Sequence, residues 1–137
     1  MDARPKLEVP LTRADKLSEA VAWGALALLW GLTIWSLFYL PAIIPVHFNG
    51  AGTPDRYGEK GSLVVLPLVA SVLFGVITAL SKFPHILNYP TEITPANAPS
   101  HYRAAIRLMR GLKIVMVLLF LLLVLYTGQT ATTHGGS

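Results

Sequence analysis

The sequence predicts an all-α membrane protein with three transmembrane helices, over about residues 20–40, 62–82 and 108–130. Three observations carry this expectation. Only 13% of the 137 residues are charged while 53% are apolar, against about 25% charged in ordinary soluble domains. The charges also leave long gaps: no Asp, Glu, Lys or Arg lies between Glu19 and Asp55, between Lys60 and Lys82, or after Lys113. Each gap holds or approaches the roughly 20 apolar residues that cross a hydrocarbon core. Finally, the cations are unevenly placed. Arg4, Lys6, Arg13 and Lys16 precede the first span and Lys82, Arg103, Arg107, Arg110 and Lys113 separate the second from the third, whereas the first loop holds Arg56 and Lys60 alone. Positive charge is retained on the cytoplasmic side, so the N-terminus is expected in the cytoplasm and the C-terminus outside.

Residues 1–19 form a polar, mixed-charge cytoplasmic leader, with Thr12 or Asp15 placed to cap a helix running into the membrane. The first apolar run is too long for a signal-peptide core and lacks its flanks. In the first span, Trp23, Trp35 and Tyr39 suit the two interfaces. Trp30 falls at mid-depth, where its indole N–H needs an acceptor on another helix. Gly24 and Gly31, seven apart, share a face, and small residues let membrane helices approach. Pro41 closes the span. The second span carries a stripe of small residues, Ser71, Gly75 and Ala79, which predicts helix packing within the chain or between copies. The third is the shortest apolar run, Ile114 to Tyr126. Either the following Thr127-Gly128-Gln129 extends it or Arg110 and Lys113 snorkel to the rim. Residues 20–131 thus read as one three-helix membrane domain, with 132–137 a frayed tail or cloning remnant.

The outward loop reads PAIIPVHFNGAGTPDRYGEKGS. Ile44, Val46 and Phe48 alternate with His47 and Asn49, so the segment is extended, and Asn49-Gly50 is a tight-turn dipeptide. Thr53-Pro54-Asp55 and Tyr57-Gly58 add turns. The expectation is a turn-rich loop folded back on itself over the helix ends. His47, Asn49, Asp55, Tyr57 and Lys60 are its candidate ligand-binding residues; the plainer alternative is that they form turns and caps. One His and one Asp fall short of the three or four protein ligands a zinc site requires, so no metal or cofactor is expected.

The inward segment, Lys82 to Lys113, is broken by Pro84, Pro90, Pro95 and Pro99. It then enters a helix, capped by Thr94 or Asn97, that extends the third span into the cytoplasm. Arg103, Arg107 and Arg110 line one face of it, with Lys113 on the flank. They are expected to contact anionic headgroups or an acidic cytoplasmic partner. Without interleaved aromatics, nucleic acid is not a partner. No phosphate-binding glycine loop, HExxH or nucleophile elbow occurs, so the chain is expected not to be an enzyme. The absence of cysteine excludes disulfides and thiolate sites.

LP-x₂-IPVHFN-x₂-G-TPD-x-YG-x-K-x-SL, followed by FPH-x-LNYP-x-EIT-x₂-N-x₄-Y-x₃-IRLMR-x-LK, resembles the bacterial membrane domain of unknown function 1648. That domain is the N-terminal unit of SdpI-like toxin-immunity membrane proteins, and the resemblance covers roughly residues 37–115. It implies a multi-pass protein of the bacterial inner membrane that protects against a secreted antimicrobial peptide or relays its presence. The matching outer-loop positions are Pro45, His47, Asn49, Gly52, Pro54, Asp55, Gly58 and Lys60. Those of the inner segment are Asn88, Tyr89, Pro90, Thr94 and Asn97. Immunity-type relatives carry further spans beyond this unit.

The sequence therefore supports, first, a non-enzymatic membrane sensor or immunity-like protein whose outer loop binds a peptide or small ligand. A homo-oligomeric accessory or pore-forming subunit packed through the small residues comes second. A membrane enzyme with a His47/Asp55 site comes third.

Overall fold

The structure, a computed structural model, describes residues 3–134. It contains three helices long and apolar enough to cross a membrane. They are α1, Arg13–Tyr39, the stretch Lys60–Leu80, in which a 3-10 turn leads into α2, Val65–Leu80, and α3, Ala98–His134. The last has 37 residues, about 55 Å at 1.5 Å per residue, well beyond a hydrocarbon core of about 30 Å. It therefore continues past the bilayer, as the expected cytoplasmic extension of the third span does. Residues 132–134, expected to be frayed, belong to this helix; the remnant expected at 135–137 lies outside the described residues.

Local chemistry sets each boundary. α1 starts seven residues before the apolar run because Thr12 and Asp15 form a capping box. The Thr12 hydroxyl accepts from the Asp15 N–H at 3.1 Å and the Asp15 carboxylate accepts from the Thr12 N–H at 2.9 Å, filling two backbone donors that a helix start leaves open. Thr94 and Asn97 repeat the device before α3: Asn97 Oδ1 accepts from the Thr94 N–H at 2.8 Å and the Thr94 hydroxyl from the Asn97 N–H at 3.3 Å. α2 continues from a 3-10 turn over Lys60–Val64, and Pro67 sits in its first turn, where the missing N–H of proline is tolerated.

The extended outer segment is more regular than a turn-rich loop. β1, Ile43–Phe48, and β2, Pro54–Glu59, form a two-stranded antiparallel sheet, an element that an all-α description omits. The expected alternation holds: Ile44 is buried, Val46 and Phe48 half-buried, and His47 and Asn49 exposed. The turn differs in detail. Asn49 Oδ1 accepts from the Ala51 and Thr53 N–H groups at 2.9 and 3.0 Å. The left-handed residue is Gly52, φ +79°, and not Gly50. The side chain of Asn49 thus organises a longer connection, residues 49–53, in place of a two-residue turn.

α3 is the central helix, lying against α1, α2 and β1. The core runs along its face through Val117, Leu121 and Val124, meeting Ala22, Leu26 and Leu29 of α1 and Ala70 and Phe74 of α2. Trp30 finds the acceptor its depth demands, donating to the Ser71 hydroxyl at 2.9 Å. The other small residues make no close packing contact within the chain. Gly24, Gly31 and Gly75 have no neighbour within 4 Å of where a Cβ would stand, and Ala79 is exposed. Larger side chains elsewhere on these helices close the contacts. Many large apolar residues point outward, among them Leu28, Phe38, Val72, Leu108 and Leu122, the surface that lipid covers.

Candidate functional site

Two chemically distinct regions lie at opposite ends of the bundle. At the hairpin end, His47 and Asp55 meet across the sheet, Nδ1 to Oδ1, at 2.5 Å. The register places His47 opposite Arg56 and Phe48 opposite Pro54, leaving Asp55 in a bulge. A bulge re-aims a side chain, and here it turns the carboxylate towards the imidazole. Both groups are exposed. Beneath them a groove of about 540 Å³ runs between the hairpin and the ends of α2 and α3. Its walls include Ile44, Val46, Leu66 and Leu123, and His47 and Arg56 stand among its polar residues.

The other candidates of this loop take different parts. Asn49 is occupied by the turn. Lys60 donates to the Leu40 carbonyl at 3.2 Å, covering the C-terminal end of α1, where a cation is favoured by the exposed carbonyls. Tyr57 is exposed on β2 opposite Pro45. Gly52 carries the hairpin's contact with α3: its carbonyl accepts from the Tyr126 hydroxyl at 2.5 Å, while Phe48 and Tyr126 have ring centres 5.0 Å apart. Among the described residues no group of three or more His, Cys, Asp or Glu is arranged to hold a metal.

At the leader end lies a feature that the residue pattern did not reveal. Arg110 and Lys113, expected to reach lipid or a partner, turn inward to carboxylates of α1, and Arg107 pairs with Asp15 while staying half exposed. Arg107 Nε is 3.2 Å from Asp15, and Arg110 bridges Asp15 at 3.4 Å and Glu19 at 3.0 Å. Lys113 Nζ is 2.7 Å from Glu19, donates to the Thr78 hydroxyl at 3.1 Å and lies 4.5 Å from the Phe74 ring centre. Lys113 is 2% exposed and Arg110 8%. The physical reason is the burial itself. A cation at this depth is costly unless paired and hydrogen-bonded, and α1 offers two acids four residues apart on the facing side. Trp23 Nε1 also donates to Glu19, at 3.2 Å. Arg103 remains exposed. The signal available in the sequence was the Asp15/Glu19 spacing of i, i+4 at the same end as Arg107 and Arg110.

The leader is fastened to this end. Arg4 donates to the Leu87 carbonyl and to that of His85 at 3.3 Å, and stands 5.4 Å from the Tyr89 ring centre. The Tyr102 hydroxyl donates to the Pro5 carbonyl at 2.8 Å. Of the inner signature positions, Tyr89 lies over Tyr102 with centres 5.8 Å apart and donates to the Pro84 carbonyl at 2.7 Å. Burial first, and Tyr102 second, raise the Tyr89 pKa above the usual tyrosine value, opposed by Arg4. Asn97 belongs to the helix cap and Asn88 is exposed. Between leader and bundle lies a cavity of about 460 Å³ into which Glu19, Arg110 and Lys113 face.

Three apolar helices, a hairpin over one end and an ion-paired collar at the other define a multi-pass membrane protein. Residues 24–71 match the model of a family described as a domain of unknown function (DUF1648), in agreement with the resemblance of the outer-loop motif. The match takes in most of α1, the whole hairpin and the start of α2. An uncharacterized protein of Archaeoglobus fulgidus is 36% identical over 95 residues, which are 68% of this chain and 50% of that protein. The chain thus spans about half the length of this relative. No solved structure matches.

Proposed function

We propose that this protein is a non-enzymatic membrane sensor or immunity-like protein whose hairpin end faces outward and takes a peptide or small ligand. The observation that supports this reading is the groove beneath the hairpin, apolar in its walls and carrying His47 and Arg56 among its polar groups. Binding sites are concave and largely apolar, with few convergent polar groups. His47 is the candidate that lines the groove, with Arg56 beside it, and Asp55 holds its imidazole; Tyr57 stands outside the groove, and Asn49 and Lys60 are committed to the turn and to the end of α1. The lysine and arginine distribution supports a cytoplasmic leader and α2–α3 connection, in the inner membrane of a bacterial cell. There Arg103 and the exposed lysines contact anionic headgroups.

The experiment compares His47→Ala and Asp55→Ala with wild type in cells challenged with the antimicrobial peptide or ligand to which loss of the gene confers sensitivity. The reading predicts normal insertion and accumulation with loss of the ligand-dependent phenotype. If both variants fail to accumulate, the pair is structural and the reading falls.

A second reading, an oligomeric accessory subunit, is favoured by the outward-facing Gly24, Gly31 and Gly75, which have open space where a partner helix would sit. It predicts a discrete oligomer in mild detergent that Gly75→Leu disperses; a monodisperse monomer counts against it.

A further inference from the structure

Tyr57 takes no part in the groove or the turn, and it stands on a strand whose outer edge is open. The sheet has two strands. β2 leans on β1, whereas β1 also lies against α3, and Asp55, Arg56, Tyr57 and Glu59 are all exposed. The register says which main-chain groups face outward. In an antiparallel pair, opposed residues alternate between those that exchange hydrogen bonds and those that do not. The Lys60 N–H donates to the Ala42 carbonyl at 2.9 Å, so Lys60 and Ala42 are a bonded pair. Two residues on, Gly58 and Ile44 are bonded as well, which leaves Glu59 with Ile43 and Tyr57 with Pro45 as the unbonded pairs. Pro45, with no N–H to give, fits that place. The N–H and C=O groups of Tyr57 and Glu59 therefore point away from β1, along the free edge. Such a row is a template for one more strand.

The side chains on this edge select what can pair with it. A second copy is opposed by charge. Two β2 edges related by a two-fold axis run antiparallel, and outward residues must meet outward residues. Centred on Tyr57, that pairing sets Asp55 opposite Glu59; centred on Gly58, it sets Arg56 opposite Lys60. Centred on Asp55, Arg56 or Glu59, the central residue meets itself. Every register thus places like charges face to face, which destabilises a sheet. A different chain escapes this. On the face that carries Tyr57, an incoming strand meets the phenol ring and, two residues along, the Glu59 carboxylate, which forms no ion pair among the described residues. We infer that the outer edge of β2 binds an extended peptide as a third strand. The peptide carries a basic residue opposite Glu59 and, two positions away, an aromatic or β-branched residue opposite Tyr57. Pairs of opposite charge and of aromatic with β-branched or aromatic side chains stabilise neighbouring strands, and the ladder adds main-chain hydrogen bonds. The edge lies outside the groove and does not use His47, so this site stands or falls apart from any ligand of the groove.

The test uses the full chain in nanodiscs of phosphatidylcholine, so that lipid charge does not retain the probe. The probe is the fluorescein-labelled peptide Lys-Thr-Phe-Thr-Lys-Thr-Phe, one face of which alternates basic and aromatic residues whichever way the strand runs. The control peptide has glutamates in place of its lysines. Saturable binding of the probe, read by anisotropy, is expected, with weaker binding of the control. Amide exchange at Tyr57 and Glu59 should slow when the probe binds. Tyr57→Pro removes an outward N–H without touching the bonds to β1, and it should weaken binding by about threefold to tenfold, the range of one hydrogen bond. Tyr57→Phe should bind as wild type does. Glu59→Gln should weaken binding by about twofold to fivefold, the loss of one cross-strand charge pair. It leaves the main chain as it is, so it decides the matter even if the Tyr57→Pro chain does not fold. Absence of saturable binding, binding that a folded Tyr57→Pro chain retains in full, or binding indifferent to Glu59→Gln would overturn the proposal.

Discussion

The ammonium of Lys113 on α3 sits 2.7 Å from the Glu19 carboxylate on α1, and the same ammonium reaches Thr78 and the Phe74 ring on α2. One side chain therefore joins all three helices at the leader end. It also fixes the register of α1 against α3, because Arg107 and Arg110 engage the same pair of acids one helical turn away.

This arrangement predicts an order of stabilities. Glu19→Gln strands Lys113 and part of Arg110, so it should cost about 2–4 kcal/mol, somewhat below the range for breaking a fully buried pair because Glu19 is partly exposed. Lys113→Met keeps the volume and leaves Glu19 with Arg110, so it should cost clearly less. Unfolding in a graded detergent series, read by tryptophan fluorescence, measures both; equal losses would mean that the collar does not act as a network.

Ser71→Ala should leave the Trp30 indole N–H without its acceptor in the middle of the bundle. The expected loss is about 1 kcal/mol, typical of a hydrogen bond between membrane helices, with an altered Trp30 emission. An unchanged spectrum and stability would show that the indole finds another acceptor.

The hairpin turn separates two glycines. Gly52→Ala should be destabilising by about 1 kcal/mol, since alanine resists a positive φ and its Cβ would stand 3.2 Å from the Tyr126 hydroxyl. Gly50→Ala should be nearly neutral, with no atom within 4 Å. Amide exchange across residues 49–57 distinguishes them: faster exchange is expected in the Gly52 variant alone.

Arg4→Ala should release the leader from Leu87 and Tyr89 while leaving the spans intact. Limited proteolysis then should cut between residues 3 and 12 faster than in wild type, with no change in helix content. Equal cleavage rates would mean that the Arg4 contacts do not hold the leader.

Much of this was legible in the sequence because a bilayer imposes one strong rule, that spanning segments be apolar and helical. The three spans, the need of Trp30 for a partner and the alternation in β1 all follow from it or from side-chain period. Helix starts were less accessible, since α1 begins at Arg13 on the strength of a capping box rather than of hydropathy. Helix neighbours were not accessible. Arg107, Arg110 and Lys113 form a stripe by spacing, but spacing says which face they share and not what stands opposite. Gly24, Gly31 and Gly75 have the same limit, because small residues mark a permissible approach without naming the helix that makes it. In the candidate site, the bulge that brings Asp55 to His47 depends on strand register, which the turn residues alone leave undetermined.

The account rests most directly on how the chain threads the bilayer. Because it contains no cysteine, single replacements can be labelled one at a time in intact and permeabilised cells with a membrane-impermeant thiol reagent. Arg56→Cys and Thr133→Cys should react together from outside, while Lys6→Cys and Asn88→Cys should react only after permeabilisation. Labelling of Arg56→Cys and Thr133→Cys from opposite faces would contradict the three-span arrangement outright.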